Sequence, residues 1–268
     1  MRLKQVGFYP NTSKPQAMAV ANELVAFVET MGLECFVAHS AKQLAIADFV
    51  VVLGGDGTML SAARETAMHG TPLLGINMGK LGYLTDVEVD GAKDAILAVI
   101  NGKYTTEKRM MLQAVIDEND TQLIALNDVY ITHNRLLGFE IWVNDEYIDS
   151  LNADGIIVCT PTGSTAYNLS AGGPILKPDA EIIAVTPICP HALHARPLVL
   201  SSKDEIVIKI SCDSGQPLHN IVSADGETHE THNCEKITIK RSQYSATIIK
   251  TGERSFFDVL RKKLISRM

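Results

Sequence analysis

The sequence lacks the features expected of a membrane-spanning, secreted or nucleic-acid-coating protein. Its longest apolar stretch, roughly Leu44–Leu53, is interrupted by Asp48, so we expect no bilayer-spanning segment, and we expect no signal peptide from the N-terminal residues. The five cysteines are odd in number and form no Cys-x-x-Cys pair, which predicts buried thiols in a reducing, cytoplasmic environment. Lys and Arg total 24 against 31 for Asp and Glu, which disfavours broad nucleic-acid binding.

The composition is that of a globular chain. Apolar residues make up 46% of the 268 residues and charged residues 21%, which is enough to bury one large core or two smaller ones. A net charge of −7 does not exclude an anionic ligand. It does require that local backbone N–H groups, a few basic side chains or a metal ion neutralise that ligand.

Residues 1–104 alternate between strand-like and helix-like segments. The β-branched run at Asp48–Leu53 predicts a strand buried on both faces. Ser13 is the predicted N-cap of the first helix and Gly32 its stop, and a second helix is predicted over Thr58–His69. The alternation predicts an α/β domain, Rossmann-like and built on a mostly parallel sheet.

The pattern changes near Thr105, where strand-like runs begin to follow one another. Turn signals at Asn144-Asp145 and Asp225-Gly226 separate some of them, and residues 105–250 are predicted to form a β-rich domain. Residues 251–268 return to helical spacing and are expected to pack back on the N-terminal domain, with Arg261, Lys262 and Lys263 as a solvated basic end. The predicted strands are Met111–Ile116, Leu123–Thr132, Phe139–Val143, Tyr147–Asp149, Gly155–Cys159, Glu205–Ile210, Lys236–Lys240 and Ala246–Ile249.

A glycine-rich loop, Gly54-Gly55-Asp56-Gly57-Thr58, follows the buried strand and precedes a helix. Glycines let a ligand approach the backbone, and the helix N-terminus offers N–H groups to an anion. A carboxylate in such a loop repels phosphate, so Asp56 is better explained as a general base or a metal ligand beside phosphates. The alternative is a strand–helix turn that only requires Gly and Asp.

Two further segments carry clustered polar groups. After the strand that begins near Asp154, the turn at 160–168 offers hydroxyls that suit ribose, diphosphate or an amide-bearing base, although Ser and Thr also favour plain helix N-caps. The pair Asn127-Asp128 begins another strand and, taken alone, is equally well explained as a turn.

Together these segments resemble the NAD kinase family. The similarity covers GGDGT at 54–58, the Asn127-Asp128 pair, the long run from Asp154 to Leu176, and the segment from Pro190 to Leu198. The loop is also shared with diacylglycerol and sphingoid lipid kinases, whereas the long run is more specific.

The resemblance implies transfer of a phosphoryl group from ATP or polyphosphate to the 2′-hydroxyl of the adenosine ribose of NAD, with a divalent metal ion, Mg²⁺. Asp56 would accept the proton, and Gly54, Gly55 and Thr58 would form the phosphate loop. It also implies a homodimer or homotetramer. The residues expected to bind substrate are Gly57, Asn127, Asp128, Arg135, Asp154, Thr162, Thr165, Ala166, Tyr167, Ser170 and Asp225.

The sequence departs from the family in one place: Asn152 stands where relatives often carry Arg or Lys two residues before the Asp of the long run. Two histidine pairs, His191 with His194 and His229 with His232, have metal-like spacing but no completing ligand, so surface or structural roles are expected. A lipid kinase and a non-catalytic NADP(H)-binding regulator remain as alternatives, and Asp56 distinguishes the regulator because a pure binder needs no carboxylate beside phosphates.

Overall fold

A computed structural model describes residues 3–117, 120–211, 221–231, 234–252 and 254–265. The chain divides into two compact units: Met1–Arg109 together with Tyr244–Met268, and Met110–Gln243. The sequence placed the divisions at 104/105 and 250/251. The boundaries between the compact units, at 109/110 and 243/244, fall inside the strands Thr105–Ile116 and Lys236–Lys250.

The described residues form fifteen strands and five α-helices, numbered in chain order. They are β1 Gln5–Pro10, α1 Pro15–Glu29, β2 Glu34–Val37, β3 Phe49–Gly54, α2 Asp56–Thr66, β4 Leu73–Asn77, β5 Val87–Glu88, α3 Ala92–Ile100, β6 Thr105–Ile116, β7 Thr121–Ala125, β8 Asp128–Val143, β9 Glu146–Cys159, α4 Tyr167–Ser170, β10 Ile182–Ile188, β11 Leu198–Ser201, β12 Ile206–Ser211, β13 Ile221–Ala224, β14 Glu227–Glu230, β15 Lys236–Lys250 and α5 Phe256–Ile265.

In the unit that contains the N-terminus, β1 pairs with β2 on one side and β3 on the other, and β3 then pairs with β4. β4 also pairs with the end of β15 and with β5, and all of these pairs are parallel. Every residue of β3 is buried, which suits its β-branched sequence. From β1 the chain adds β2 on one side of the sheet and then β3 on the other side. Open α/β sheets bind ligands at the carboxyl ends of the two strands at such a point, here β1 and β3.

The helices of this unit begin close to, but not at, the predicted residues. Lys14, not Ser13, is the N-cap of α1, since Pro15 takes the first turn and Ser13 is engaged by Asn11: its hydroxyl donates to Asn11 Oδ1 at 2.7 Å. Gly32, with φ of +76°, follows the helix as predicted. Helix α2 begins at Asp56 rather than Thr58, which puts the acidic residue in its first turn.

The other unit is an antiparallel sheet in the order β11-β10-β9-β8-β12-β15, with β13 also beside β8 and β14 beside β13. Strands β8 and β9 each replace two shorter predicted runs. They are joined by the predicted turn Asn144-Asp145, where φ is +49° and +66°, the conformation of a tight hairpin. The register between them shifts between Thr132 and Leu137.

A second tight hairpin joins β13 to β14 through Asp225-Gly226, at φ of +52° and +82°. Apolar side chains from β8, β9 and β12, such as Phe139, Ile156 and Ile208, form the core of this unit. None of the helices in the described ranges is long and apolar enough to cross a membrane.

Candidate active site

The glycine loop joins β3 to α2 and leaves no room for side chains at its first position. A Cβ on Gly54 would collide with the side chain of Thr58. The Thr58 hydroxyl accepts a hydrogen bond from Asn11 Nδ2 at 3.1 Å, so the end of β1 is tied to the first turn of α2. Gly55 is the N-cap of α2, and the Thr58 N–H donates to its carbonyl at 3.0 Å. The N–H groups of Asp56 and Gly57 come before Thr58 in the first turn, where a helix provides no acceptor of its own.

Asp56 is held by a loop that follows β4. Its Oδ2 accepts the backbone N–H of Tyr83 at 2.9 Å, and its Oδ1 accepts that of Leu84 at 2.9 Å. A Cβ on Gly82 would meet the Asp56 carboxylate, so glycine is required for this approach. The Asp56 side chain nevertheless remains 31% exposed, and it can therefore reach a ligand.

A cavity of about 370 Å³ opens at the carboxyl ends of β1 and β3. It is polar, and the side chains of Lys14 and His39 are among those that line it. Lys14 Nζ also donates to the carbonyl of Met78 at 3.3 Å. The cavity is also lined by Asn11, Thr12, Gly55, Gly57 and Thr58.

In the other unit, the Asp225 side chain holds the backbone of the Asn127-Asp128 pair in place. Its carboxylate accepts the backbone N–H groups of Leu126, Asn127 and Asp128 at 2.7, 2.7 and 3.3 Å. The positive φ of Asp225 in its hairpin directs the side chain to these three amides. The structure thus assigns a backbone-holding contact to a residue that the sequence placed among the substrate ligands.

Asp128 is an unusual carboxyl group. It is 4% exposed, and burial, followed by the charge of Asp225, raises its pKa to about 7. The pKa of the Tyr167 phenol is also raised, chiefly by burial and then by the neighbouring Tyr130. The two tyrosine rings meet edge to face, with centroids 5.2 Å apart. Perturbed groups gathered in this way are typical of a functional site.

The turn after β9 is built on buried hydrogen bonds. Thr160 donates its backbone N–H to the carbonyl of Asn127 at 2.8 Å and its hydroxyl to that of Leu126 at 2.6 Å. A Cβ on Gly163 would collide with the Asn127 backbone. These contacts bring the Asn127-Asp128 pair and the hydroxyl-rich turn together.

Some polar side chains of that turn are buried and form hydrogen bonds within the protein. Ser164 and Asn168 are fully buried, and Asn168 Oδ1 accepts the hydroxyl of Thr186 at 2.6 Å, so they maintain the turn. The expected helix is only the four residues of α4, preceded by a short 3-10 turn, and offers no helix-dipole site. Of the predicted ligands here, Tyr167 and Ser170 are exposed, Thr165 and Ala166 are half-buried, and Thr162 is buried.

Arg135 lies within β8, not in the loop that the sequence predicted. It falls in the stretch between Thr132 and Leu137 where the register with β9 shifts, and it is exposed. Asp154 lies on β9 opposite this stretch, between Ala153 and Gly155, and is exposed as well. A register shift lets a strand carry the polar side chains that sequence patterns assign to a loop.

The metal-like histidine spacings find no support. His191 and His194 are exposed, and His232 lies outside the described residues. Among the residues that the structure describes, no cluster of three or more His, Cys, Asp or Glu side chains could hold a metal ion.

Sequence reasoning missed several residues around Asp56. Lys263, interpreted as part of a solvated face, places Nζ 3.6 Å from Asp56 Oδ2. Asn11 and Lys14 belong to no motif that the sequence analysis recognised. Both lie in the short segment between β1 and α1, and the segment after a strand of a parallel sheet is where ligand-binding residues are expected. Their place in this segment is the feature of the sequence that could have identified them.

Comparison with known proteins gives a consistent result. Residues 37–104 match the family model described as the ATP-NAD kinase N-terminal domain, and residues 126–251 match the ATP-NAD kinase C-terminal domain. An NAD kinase of Caldanaerobacter subterraneus subsp. tengcongensis is 40% identical, with 99% of this chain and 100% of the relative covered. One from Thiobacillus denitrificans is 41% identical, with 88% and 83% covered.

Two solved structures share the fold. An Archaeoglobus fulgidus NAD kinase in complex with ATP superposes with a TM-score of 0.83 at 24% identity, covering 98% of this chain and 99% of that one. Yeast NADH kinase complexed with NADH gives a TM-score of 0.88 at 22% identity, with 98% and 88% covered.

Proposed function

The chain belongs to the NAD kinase family and phosphorylates NAD to NADP, and we propose that Asp56 accepts the proton of the attacking 2′-hydroxyl. One observation carries this assignment: a carboxylate at the start of α2 is fixed by two backbone N–H groups yet is 31% exposed. A ribose hydroxyl is a weak nucleophile, and a positioned carboxylate assists its attack.

The chemical step needs little from the protein beyond positioning and charge stabilisation. As the hydroxyl oxygen bonds to the terminal phosphorus of the donor, its proton passes to Asp56. The bond from that phosphorus to the bridging oxygen breaks, and the shortened donor leaves with the electron pair. With ATP as donor the products are NADP and ADP, and Asp56 then releases its proton to solvent.

We assign recognition of NAD to the polar groups of the β-rich unit. The Asn127 amide, the Asp128 and Asp154 carboxyl groups and the hydroxyl-rich turn suit ribose and base edges. Contacts from Thr162, Thr165, Ala166, Tyr167 and Ser170 are proposed in that turn. Arg135, exposed on β8, is the cation of this region proposed to meet a phosphate of the dinucleotide, since Asn152 cannot.

We assign the donor phosphates to the polar cavity at the ends of β1 and β3. Lys14, the Asn11 and Thr12 side chains and the first-turn N–H groups of α2 are the kinds of groups that bind phosphate. Two features support the Rossmann-like assignment of this unit: its parallel strand order and a cavity at the point where that order reverses. Both ATP and polyphosphate carry the phosphate chain that such a cavity would accept.

A divalent cation, Mg²⁺, is proposed to enter with the donor phosphates and to neutralise part of their charge. Mg²⁺ usually keeps several waters and takes one or two protein carboxylates besides phosphates, so no dedicated cage is needed. Phosphate oxygens and water would supply the ligands of this ion here, because the Asp56 carboxylate is assigned to the proton of the attacking hydroxyl.

The acceptor test separates this function from that of lipid kinases with the same loop. NAD, AMP, sphingosine and diacylglycerol are each offered with labelled ATP and Mg²⁺, and NADP is also read out with an NADP-specific dehydrogenase. We expect label only in NAD, because the polar groups of the site would be left unpaired by a lipid. Label in either lipid at a rate comparable to NAD, or none in NAD, would contradict the proposal.

We also infer a cytoplasmic homodimer or homotetramer. Apolar side chains are exposed on strands of the β-rich unit, including Val199 of β11 at 50% and Tyr147 of β9 at 49%, and a partner copy that packs on these strands would cover them. The free thiols of Cys35, Cys159 and Cys189 agree with a reducing compartment. Light scattering coupled to size-exclusion chromatography measures the assembly directly, and a monomer at all concentrations would overturn it.

A further inference from the structure

The C-terminal segment is bonded to the same loop that holds Asp56. Lys250 Nζ lies 2.9 Å from Asp86 Oδ2, and both side chains are nearly buried, at 12% and 8% exposure. Arg254 Nη1 donates to the backbone carbonyl of Asp86 at 2.9 Å. Because Asp86 follows Leu84 by two residues, these contacts fix the loop whose amides bind the carboxylate.

Helix α5 starts at a fixed point beside this loop. Ser255 donates its hydroxyl to Asp258 Oδ2 at 2.7 Å, and Asp258 returns its backbone N–H to Ser255 Oγ at 3.2 Å, which caps the helix. The ring of Phe256 then packs against that of Tyr83, with centroids 6.0 Å apart. The helix direction is therefore set relative to Tyr83.

Two turns further along α5, Lys263 reaches back to the same place. Its Nζ lies 3.6 Å from Asp56 Oδ2 and 4.2 Å from the centroid of the Tyr83 ring. The Tyr83 backbone N–H donates to the same Asp56 oxygen at 2.9 Å. The lysine side chain is only 29% exposed, and its contact with the Tyr83 ring restricts the ammonium to this position.

We propose that Lys263 is a positioning residue for phosphoryl transfer, holding the Asp56 carboxylate in the orientation that the amides of Tyr83 and Leu84 define. The proposal rests on the role proposed for Asp56. The two amides fix one edge of the carboxylate, and the ammonium on Oδ2 prevents rotation away from them. A misplaced base loses rate without losing substrate, because positioning acts on the transition state.

The test replaces Lys263 by methionine, which keeps an unbranched apolar stem over Tyr83 and removes the charge. We expect the kcat for NAD phosphorylation to fall about tenfold, with the KM values for NAD and ATP within about twofold of wild type. Lys263→Arg should restore most of kcat. Lys262→Met, one residue away on the same helix, is the matched control and should leave kcat unchanged. Circular dichroism and the melting temperature confirm that each variant is folded.

A double variant separates this proposal from the role of Asp56 itself. If Lys263 acts through Asp56, then adding Lys263→Met to Asp56→Asn should cause no further loss of kcat. An unchanged kcat in Lys263→Met would overturn the positioning role. So would a raised KM for ATP at unchanged kcat, since that is the signature of a donor-phosphate contact. A near-normal kcat in Asp56→Asn would instead contradict the proposed function, whatever Lys263 does.

Discussion

The carboxylate of Asp225, which is half-buried, accepts the backbone N–H of the buried Asp128 at 3.3 Å, and the charge of Asp225 acts on the Asp128 carboxyl group. Burial first, and the charge of Asp225 second, raise the pKa of Asp128 to about 7. The same aspartate that organises the backbone of the Asn127-Asp128 pair therefore disfavours ionisation of its partner. Near neutral pH, Asp128 is divided between its protonated and ionised forms.

This relationship predicts that stability falls as the pH rises from about 4 to about 7. The pKa of Asp128 in the folded protein, about 7, lies above the 3.8 of a solvated aspartate in the unfolded chain. Between these two pH values the native state therefore binds more protons than the unfolded state. The contribution of protonated Asp128 to the free energy of unfolding is complete below about pH 4 and is lost as the pH rises to about 7. The loss should be on the order of 1 kcal/mol per pH unit.

Urea unfolding between pH 4.5 and 8 measures this dependence. Asp128→Asn should remove this part of the decline, since the amide does not titrate. Asp145→Asn is the matched control, because that exposed residue sits in a tight turn whose positive φ asparagine also tolerates. Equal slopes in wild type and Asp128→Asn would contradict the expected titration.

Replacing Asp56 by asparagine should lower kcat about 10²-fold or more while NAD still binds, because the amide cannot accept the proton. The change keeps the shape of the side chain, and kcat is measured with saturating NAD, ATP and Mg²⁺. Glu65→Gln, on the same helix α2, is the control and should be close to wild type. A near-normal kcat in Asp56→Asn would remove this residue from the catalytic role.

Asn127→Ala and Tyr167→Ala should chiefly weaken NAD binding, each by roughly 1–3 kcal/mol for one lost contact with the ligand. Isothermal titration calorimetry with NAD gives the affinities. Tyr104→Ala is the control, because Tyr104 and Tyr167 share an exposure of 39%. If NAD affinity is unchanged in both variants, the dinucleotide site has been assigned to the wrong residues.

Lys14→Met should raise the KM for ATP about tenfold with little effect on the KM for NAD, because the ammonium at the donor cavity would be lost. Initial rates over a range of ATP concentrations measure the change. Lys42→Met, an exposed lysine of the same unit outside the residues that line the cavity, provides the comparison. A raised KM for NAD alone would mean that the cavity receives the acceptor instead of the donor.

Features that depend only on neighbouring residues could be predicted before the structure was known. The buried β3 run, the glycine loop before α2 and the Asn144-Asp145 turn were all predicted from local patterns, because strand burial, glycine content and turn chemistry act over a few residues. The roles expected of the candidate-site residues came from the resemblance of these segments to the NAD kinase family.

Contacts between residues distant in the sequence became apparent only from the folded chain. Asp225 holds the amide of Asn127, 98 residues earlier in the chain, and Lys263 reaches Asp56 across most of the sequence. Local periodicity carries no information about such pairs, because strand pairing and helix docking bring them together only after the chain has folded. For the same reason Lys263 looked like a solvated charge on a helix end, whereas its position beside Tyr83 places it at the carboxylate on which the proposed chemistry depends.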